Sequence, residues 1–133
     1  MFEAYSTSST IFTENQPITF STIRHRDCRI NETNGSTFNI CTPGRYYVEV
    51  NITGLSGTAG TPFSIQLFRN GVAVPAISTG TSLATDTTMT MSTIVNVLPS
   101  CCAVNNNTSL QVVVSSAQSG TVVDRNIIIY RLK

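Results

Sequence analysis

The residues of this chain that could do chemistry are few and scattered. His25 is the only histidine, and Cys28 gives it an H-x-x-C spacing that could supply two metal ligands. A zinc site needs a further pair of such ligands, and no second pair stands at a matching spacing. We therefore predict that His25 and Cys28 lie in a solvated loop, and that the protein holds no metal and no cofactor.

The remaining polar residues do not form a catalytic set. A serine or cysteine nucleophile needs a positioned base, which is usually histidine, so we predict that the protein is not an enzyme. Two isolated acids, Asp86 and Asp124, could join a calcium site with loop carbonyls. Acids at the start of strands are more commonly turn residues, which is the reading we favour.

The most charged stretch is RHRDCRINETN, residues 24–34. Its three arginines could bind an acidic ligand, but Asp27 and Glu32 stand among them. The pattern favours an exposed charged loop over a ligand site.

Composition limits the classes of function. Charged residues make up 11% of the 133 residues and the net charge is +1, which argues against a nucleic-acid binder because such proteins need a basic face. It also argues against disorder. No apolar run approaches the roughly 20 residues of a membrane span. We predict one domain, residues 1–133, with a neutral surface rich in Thr, Ser and Asn.

The stretch FNICTPGRYYVEVNIT, residues 38–53, organises the rest of the chain. A Pro-Gly turn divides it, and a strand follows in which apolar and polar side chains alternate. Tyr46, Val48 and Val50 share one face. Tyr47, Glu49 and Asn51 share the other, and an aromatic on that face suggests that it also meets protein.

The other segments show the same periodicity of two. No stretch has helical periodicity, and eight to ten strands with regularly spaced turn signals predict an antiparallel two-sheet sandwich. Asn-Gly at residues 34–35 is a strong turn signal, and at residues 70–71 it predicts a type I′ hairpin.

The last strand breaks the alternation. Residues 127–130, IIIY, are continuously apolar, which in an antiparallel sheet means that both faces are covered. One face meets the sandwich core. The other needs a partner, and we expect that partner to be another copy of the chain.

Several short motifs carry a family resemblance over nearly the whole chain. They are Phe2-x-Ala4, then Gln16, Ile18 and Phe20, the block from Phe38 through Pro43-Gly44-x-Tyr46-Tyr47, and the hairpin from Leu67 to Gly71. Together they resemble the C1q/tumour necrosis factor-like jelly roll. The chain departs from that family by Asn105-Asn106-Asn107 where Gly-Asp usually stands, and by lacking Phe-x-Gly-Phe in the last strand.

The resemblance implies an all-β, two-sheet antiparallel jelly-roll sandwich assembled as a homotrimer, without enzymatic activity. Its interface would include the outward residues of the central and last strands, namely Tyr47, Glu49, Asn51, Ile128 and Tyr130. The short loops and Thr/Ser/Asn surface look most like bacterial members, among them the C-terminal heads of collagen-like glycoproteins on the spore exosporium.

The implied function is therefore a non-enzymatic trimeric head of a bacterial surface or spore-coat protein. Such a head serves trimerisation, surface structure and adhesion, lies outside the cell, and meets host-surface glycans or protein receptors rather than nucleic acid or a membrane. The alternative is the receptor- or glycan-binding tip of a phage fibre.

Two further expectations depend on the jelly-roll order of strands. The strand ending at Cys41 should run beside the one beginning near Ser109, so a disulfide from Cys41 to Cys101 or Cys102 is a candidate. Glu49 would be costly in an interface unless paired. We expect it to pair with an arginine, such as Arg125 or Arg131 of the last strand, or to hydrogen-bond across the subunit boundary. The alternative is an interface that is loose there, with Glu49 hydrated.

Overall fold

The computed structural model describes residues 1–82, 87–97, 108–116 and 119–132, and in these residues it contains strands and no helix. Alternation of apolar and polar residues leads to strands here because each strand can bury one face. The strands are β1 (Phe2–Ser6), β2 (Thr10–Phe12), β3 (Thr22–His25), β4 (Ile30–Thr33), β5 (Thr37–Ile40), β6 (Gly44–Leu55), β7 (Pro62–Arg69), β8 (Val72–Ser82), β9 (Thr87–Val97), β10 (Thr108–Val114), β11 (Gly120–Val122) and β12 (Asp124–Leu132). No helix in the described part of the chain is long and apolar enough to cross a membrane.

Among the described residues, ten strands form two five-stranded antiparallel sheets. The first sheet has the order β3-β1-β12-β6-β9, and the second has the order β4-β5-β10-β7-β8. Strands β2 and β11 form a separate two-stranded ribbon. The connection at Thr42 and Pro43 carries the chain from β5 in the second sheet to β6 in the first. The predicted all-β jelly-roll sandwich is therefore confirmed.

The hydrophobic core lies between the two sheets. In β6 the side chains of Tyr46, Val48, Val50 and Ile52 are all at most 1% exposed, as the alternation predicts. Phe38 of the second sheet makes two edge-to-face ring contacts. One is with Phe2 of the first sheet, at 5.5 Å between ring centroids, and one is with Phe20 in the connection before β3, at 5.8 Å. The alternating apolar residues of the strands thus form the core of the sandwich.

The charged stretch at residues 24–34 is more ordered than predicted. It contains the end of β3 and all of β4, and both are edge strands of their sheets. Ile30 and Asp27 are buried, so the prediction of an exposed loop is wrong there. Short strands that carry charge are typical of sheet edges, because charge discourages pairing with another chain.

Candidate subunit interface

The two faces of the first sheet differ in what covers them. One face packs on the second sheet, and the other, which we call the open face, carries the outward side chains of β1, β12, β6 and β9. Register places these side chains in rows across the sheet. The predicted interface residues Tyr47, Glu49, Asn51, Ile128 and Tyr130 all lie on the open face, because all five have outward parity in β6 or β12.

The first row of the open face is apolar and aromatic. Tyr130, Tyr47 and Ile94 are direct cross-strand neighbours, and we call them the aromatic row. The two tyrosine rings lie 5.1 Å apart with their planes tilted by 36°. Ile94 is 46% exposed and Tyr130 37%. Ile94 was not predicted from the sequence as an interface residue, although it shares the outward parity of Ser92 and Asn96 in β9.

The next row holds two carboxylates on either side of an isoleucine. Glu3, Ile128, Glu49 and Ser92 lie side by side across four strands. Glu49 accepts hydrogen bonds from the Tyr47 hydroxyl at 3.0 Å and from the Asn51 amide nitrogen at 3.1 Å. Asn51 in turn accepts a bond from the Thr90 hydroxyl at 3.1 Å. The Glu49 carboxylate is therefore held by neutral donors of its own strand.

This arrangement corrects the expected arginine partner of Glu49. Arg125 and Arg131 have odd numbers in β12, which is the parity of the core residues Ile127 and Ile129, so both point away from the open face. Arg125 is only 5% exposed. It donates to the Thr19 carbonyl at 2.5 Å and the Ser8 carbonyl at 3.0 Å. Within one chain, neither arginine of the last strand therefore faces Glu49; the prediction named them without their parity. A partner for Glu49 across the subunit boundary stays a prediction.

The hydrogen bond between Tyr47 and Glu49 also affects the phenol. Donation to the Glu49 carboxylate raises the pKa of Tyr47, since a phenolate would lose that bond and be repelled by the carboxylate. Tyr47 therefore remains a protonated donor at neutral pH. Its ring remains part of the aromatic row on the open face.

Glu3 organises the other side of the open face. It is 7% exposed, and it pairs with Arg24 at 2.9 Å and accepts a long bond of 3.5 Å from Asn126. The Arg24 guanidinium lies 4.4 Å from the centre of the Tyr5 ring, a cation–π distance. Sequence reasoning missed this cluster. Phe2 and Ala4 as core residues would have placed Glu3 and Tyr5 outward.

A shallow pocket of about 330 Å³ lies on the polar end of the open face. Tyr5, Arg24, Asn51 and Asn126 contribute to its lining. The open face is thus graded, from the aromatic row at one end to amides, hydroxyls and a compensated ion pair at the other.

The other candidate site residues do not come together. His25 ends β3 and Cys28 lies in the following connection, and both are exposed. No group of three or more metal-ligating side chains occurs among the residues the structure describes. Asp124 is exposed at the start of β12, and Asp86 lies outside the described residues.

Cys41 follows β5 and lies near the start of β10, the strand that the sequence predicted as its neighbour. Strands β5 and β10 are antiparallel neighbours, with Ile40 opposite Thr108. Cys41 forms no disulfide with a cysteine that the structure describes, and its sulfur accepts a 3.4 Å contact from the Asn31 amide. Cys101 and Cys102 lie outside the described residues, so the disulfide remains a prediction.

With the fold established, the chain can be compared with known proteins. No model of a known family matches the sequence, and no curated protein matches it. Solved structures do match. The globular domain of zebrafish complement 1qA protein has a TM-score of 0.63 at 14% identity, covering 98% of each chain. Murine APRIL has a TM-score of 0.69 at 9% identity, also covering 98% of each chain.

A third similar structure is the Eiger TNF from S. frugiperda. Its TM-score is 0.65 at 13% identity, covering 99% of this chain and 93% of that one. At these identities the likeness defines the fold alone. The chain has the C1q/TNF-like jelly-roll fold.

Proposed function

We propose that this protein is a non-enzymatic, homotrimeric head domain in which the open face of the first sheet is the subunit contact. The observation that carries the proposal is the aromatic row, which lies on the solvent side of a sheet whose other side already packs on the second sheet. Single exposed apolar residues are ordinary, but a contiguous group on one face usually marks an interaction surface.

The open face has the composition of an interface centre. Aromatic side chains are enriched at such centres and charged ones depleted, and here Tyr47, Tyr130, Ile94 and Ile128 are contiguous. Of the charges on this side, Glu3 and Arg24 compensate each other at 2.9 Å, while Glu49 is held by the neutral donors Tyr47 and Asn51. An obligate contact of this kind usually buries more than about 2,000 Å².

The number of copies follows from the resemblance to the C1q/TNF-like jelly roll, which implies a trimer. A closed ring of three leaves no free interface, so the apolar face of every copy is covered. This proposal includes Glu49 and Asn51 at the contact, where their mutual hydrogen bond reduces the cost of desolvation.

We further propose that the head belongs to a bacterial cell-surface or spore-surface protein and acts in surface structure and adhesion. The low charge and the Thr/Ser/Asn surface support this setting, as does the resemblance to heads of collagen-like exosporium glycoproteins. Labelling of intact spores and cells with an antibody to the head tests the location. An upstream Gly-x-y repeat in the gene would indicate a collagen-like stalk.

Light scattering of the purified protein tests the assembly. We expect a trimer at micromolar concentration and a folded monomer for Tyr130→Glu, since the new charge lies in the aromatic row. Ile11→Glu is the matched control, because Ile11 is 62% exposed on β2 and away from the open face. A wild-type monomer would overturn the proposal. If the wild type is a trimer, a glycan and protein-receptor array probed with that trimer identifies its partners.

A further inference from the structure

The chain contains two Asn-Gly turns in which both residues have positive φ but the surroundings differ. Asn34, Gly35 and Ser36 join β4 to β5, and the first two have φ values of 57° and 68°. Asn70 and Gly71 join β7 to β8 with φ values of 52° and 80°. Positive φ at both central residues is the signature of type I′ hairpin turns. The Asn-Gly sequence and the sign of φ are shared, whereas the contacts around the two asparagines differ.

Contacts with β10 hold Asn70 in place. Its side-chain oxygen accepts the backbone N–H of Ser109 at 2.9 Å and the Ser109 hydroxyl at 3.4 Å. Its backbone N–H donates to the Ser109 carbonyl at 2.9 Å. The side-chain carbonyl carbon of Asn70 is therefore fixed toward β10 and cannot turn onto the nitrogen of Gly71.

Asn34 has no such anchor. Its side chain is exposed, and it makes no hydrogen bond with any part of the chain that the structure describes. The backbone N–H of the next residue, Gly35, donates to the carboxylate of Glu32. A carboxylate is thus in contact with the one proton that must leave if the Gly35 nitrogen is to react.

We propose that Asn34 is a site of spontaneous deamidation, whereas Asn70 is protected. The Glu32 carboxylate takes the proton of the Gly35 N–H, and the nitrogen attacks the side-chain carbonyl carbon of Asn34. The bond from that carbon to the amide nitrogen breaks, and ammonia leaves with the proton. The resulting succinimide is opened by water to aspartate or isoaspartate. Gly35 has no side chain to obstruct the closure.

The modification changes both charge and backbone. A new carboxylate appears beside Glu32, and isoaspartate adds a methylene to the main chain within the turn. The hydrogen bonds that hold this turn, from Ser36 N–H to the Thr33 carbonyl and from Phe20 N–H to the Gly35 carbonyl, depend on normal backbone spacing. Deamidation therefore loosens the β4–β5 end of the second sheet, independently of assembly.

Peptide mapping by mass spectrometry after incubation in mildly alkaline buffer tests the proposal. In the folded protein we expect Asn34 to convert at least about tenfold faster than Asn70, a difference in barrier of about 1.4 kcal/mol. In denaturant the two rates should converge, because the Asn-Gly sequence is the same. Equal rates in the folded protein, or faster conversion of Asn70, would overturn the proposal.

A second variant isolates the proton acceptor. Glu32→Gln keeps an oxygen for the Gly35 N–H but is a far weaker base, so Asn34 should convert at least about tenfold more slowly, at the low end of general-base effects. An unchanged Asn70 rate in the same sample shows that the variant is folded. An unchanged Asn34 rate would remove Glu32 from the mechanism.

Discussion

Alternate residues of the same strands form the two faces of the first sheet. One is the core face, which packs on the second sheet, and the other is the open face. Ile127 and Ile129 are fully buried against the second sheet, while Ile128 between them is half-buried on the open face. The core face is completed within one chain. The open face is completed, in our proposal, only by other copies, so equal side chains should contribute to folding on one face and to assembly on the other.

The largest expected effect is on the core face. Ile129→Ala should lower the free energy of unfolding by about 2–5 kcal/mol, because it leaves a cavity between the sheets. Urea denaturation in a Tyr130→Glu background measures folding without the contribution of assembly. A loss below about 1 kcal/mol there would mean that the core can collapse around the site, and would weaken the distinction between the faces.

Arg125 tests whether the core face tolerates a charge that is held by backbone carbonyls and by the Phe12 ring, 5.0 Å from the guanidinium carbon. Burial lowers the pKa of its guanidinium, which stays charged at neutral pH because the ordinary value lies far above 7. Arg125→Met keeps the apolar bulk but leaves the carbonyls of Thr19 and Ser8 without this donor. We expect a loss of about 2–3 kcal/mol. An unchanged denaturation midpoint would mean that water or another donor replaces the arginine.

The matching change on the open face is Ile128→Ala. It should alter the folding of the monomer by less than about 1 kcal/mol, since Ile128 is not in the core. It should weaken the trimer by about 2 kcal/mol if the side chain lies at the centre of the contact. Sedimentation equilibrium against wild type measures the assembly. Trimers of equal stability would show that this part of the open face stays hydrated in the trimer.

A smaller effect in the opposite direction is expected at Glu49. Glu49→Gln keeps an oxygen acceptor for the Tyr47 hydroxyl and the Asn51 amide but removes the charge that assembly desolvates. We expect the trimer to tighten by about 1 kcal/mol, since taking a charge out of water costs more than taking out a neutral amide. Weaker assembly of the variant would instead indicate a cation from a neighbouring copy, as the sequence suggested.

The smallest effect lies away from both faces, at Asp27. Burial by itself would raise the pKa of this carboxyl, but the Arg29 backbone N–H at 3.0 Å and the α-ammonium of Met1 at 3.1 Å outweigh burial and lower it. A lowered pKa in the folded state stabilises the protein above the unfolded value near 3.9 and is lost as pH falls below it. Asp27→Asn should remove this acid dependence, worth less than about 1 kcal/mol.

Acid titration of thermal stability for the two proteins measures that difference. Wild type should lose its advantage over Asp27→Asn only below about pH 4. Parallel curves throughout would mean that the Asp27 contacts exchange with water in solution.

The sequence by itself determined the fold class and the parity of the long strands. Tyr46, Val48, Val50 and Ile52 were placed in the core correctly, because a strand has a fixed period of two and needs no further information. The same period placed Tyr47 and Glu49 on the opposite face. The pairing of β5 with β10 beside Cys41 also followed, once the order of the elements resembled a jelly roll.

Only the tertiary structure decided which partners each polar group meets. Arg125 could not be assigned from sequence, because its donors reach the carbonyls of Ser8 and Thr19, more than a hundred residues away. Glu3 and Arg24 meet for the same reason, as the chain brings β1 and β3 together only after folding. Periodicity is a local property of the backbone, whereas hydrogen bonds between distant segments depend on register and sheet order, which local pattern leaves open.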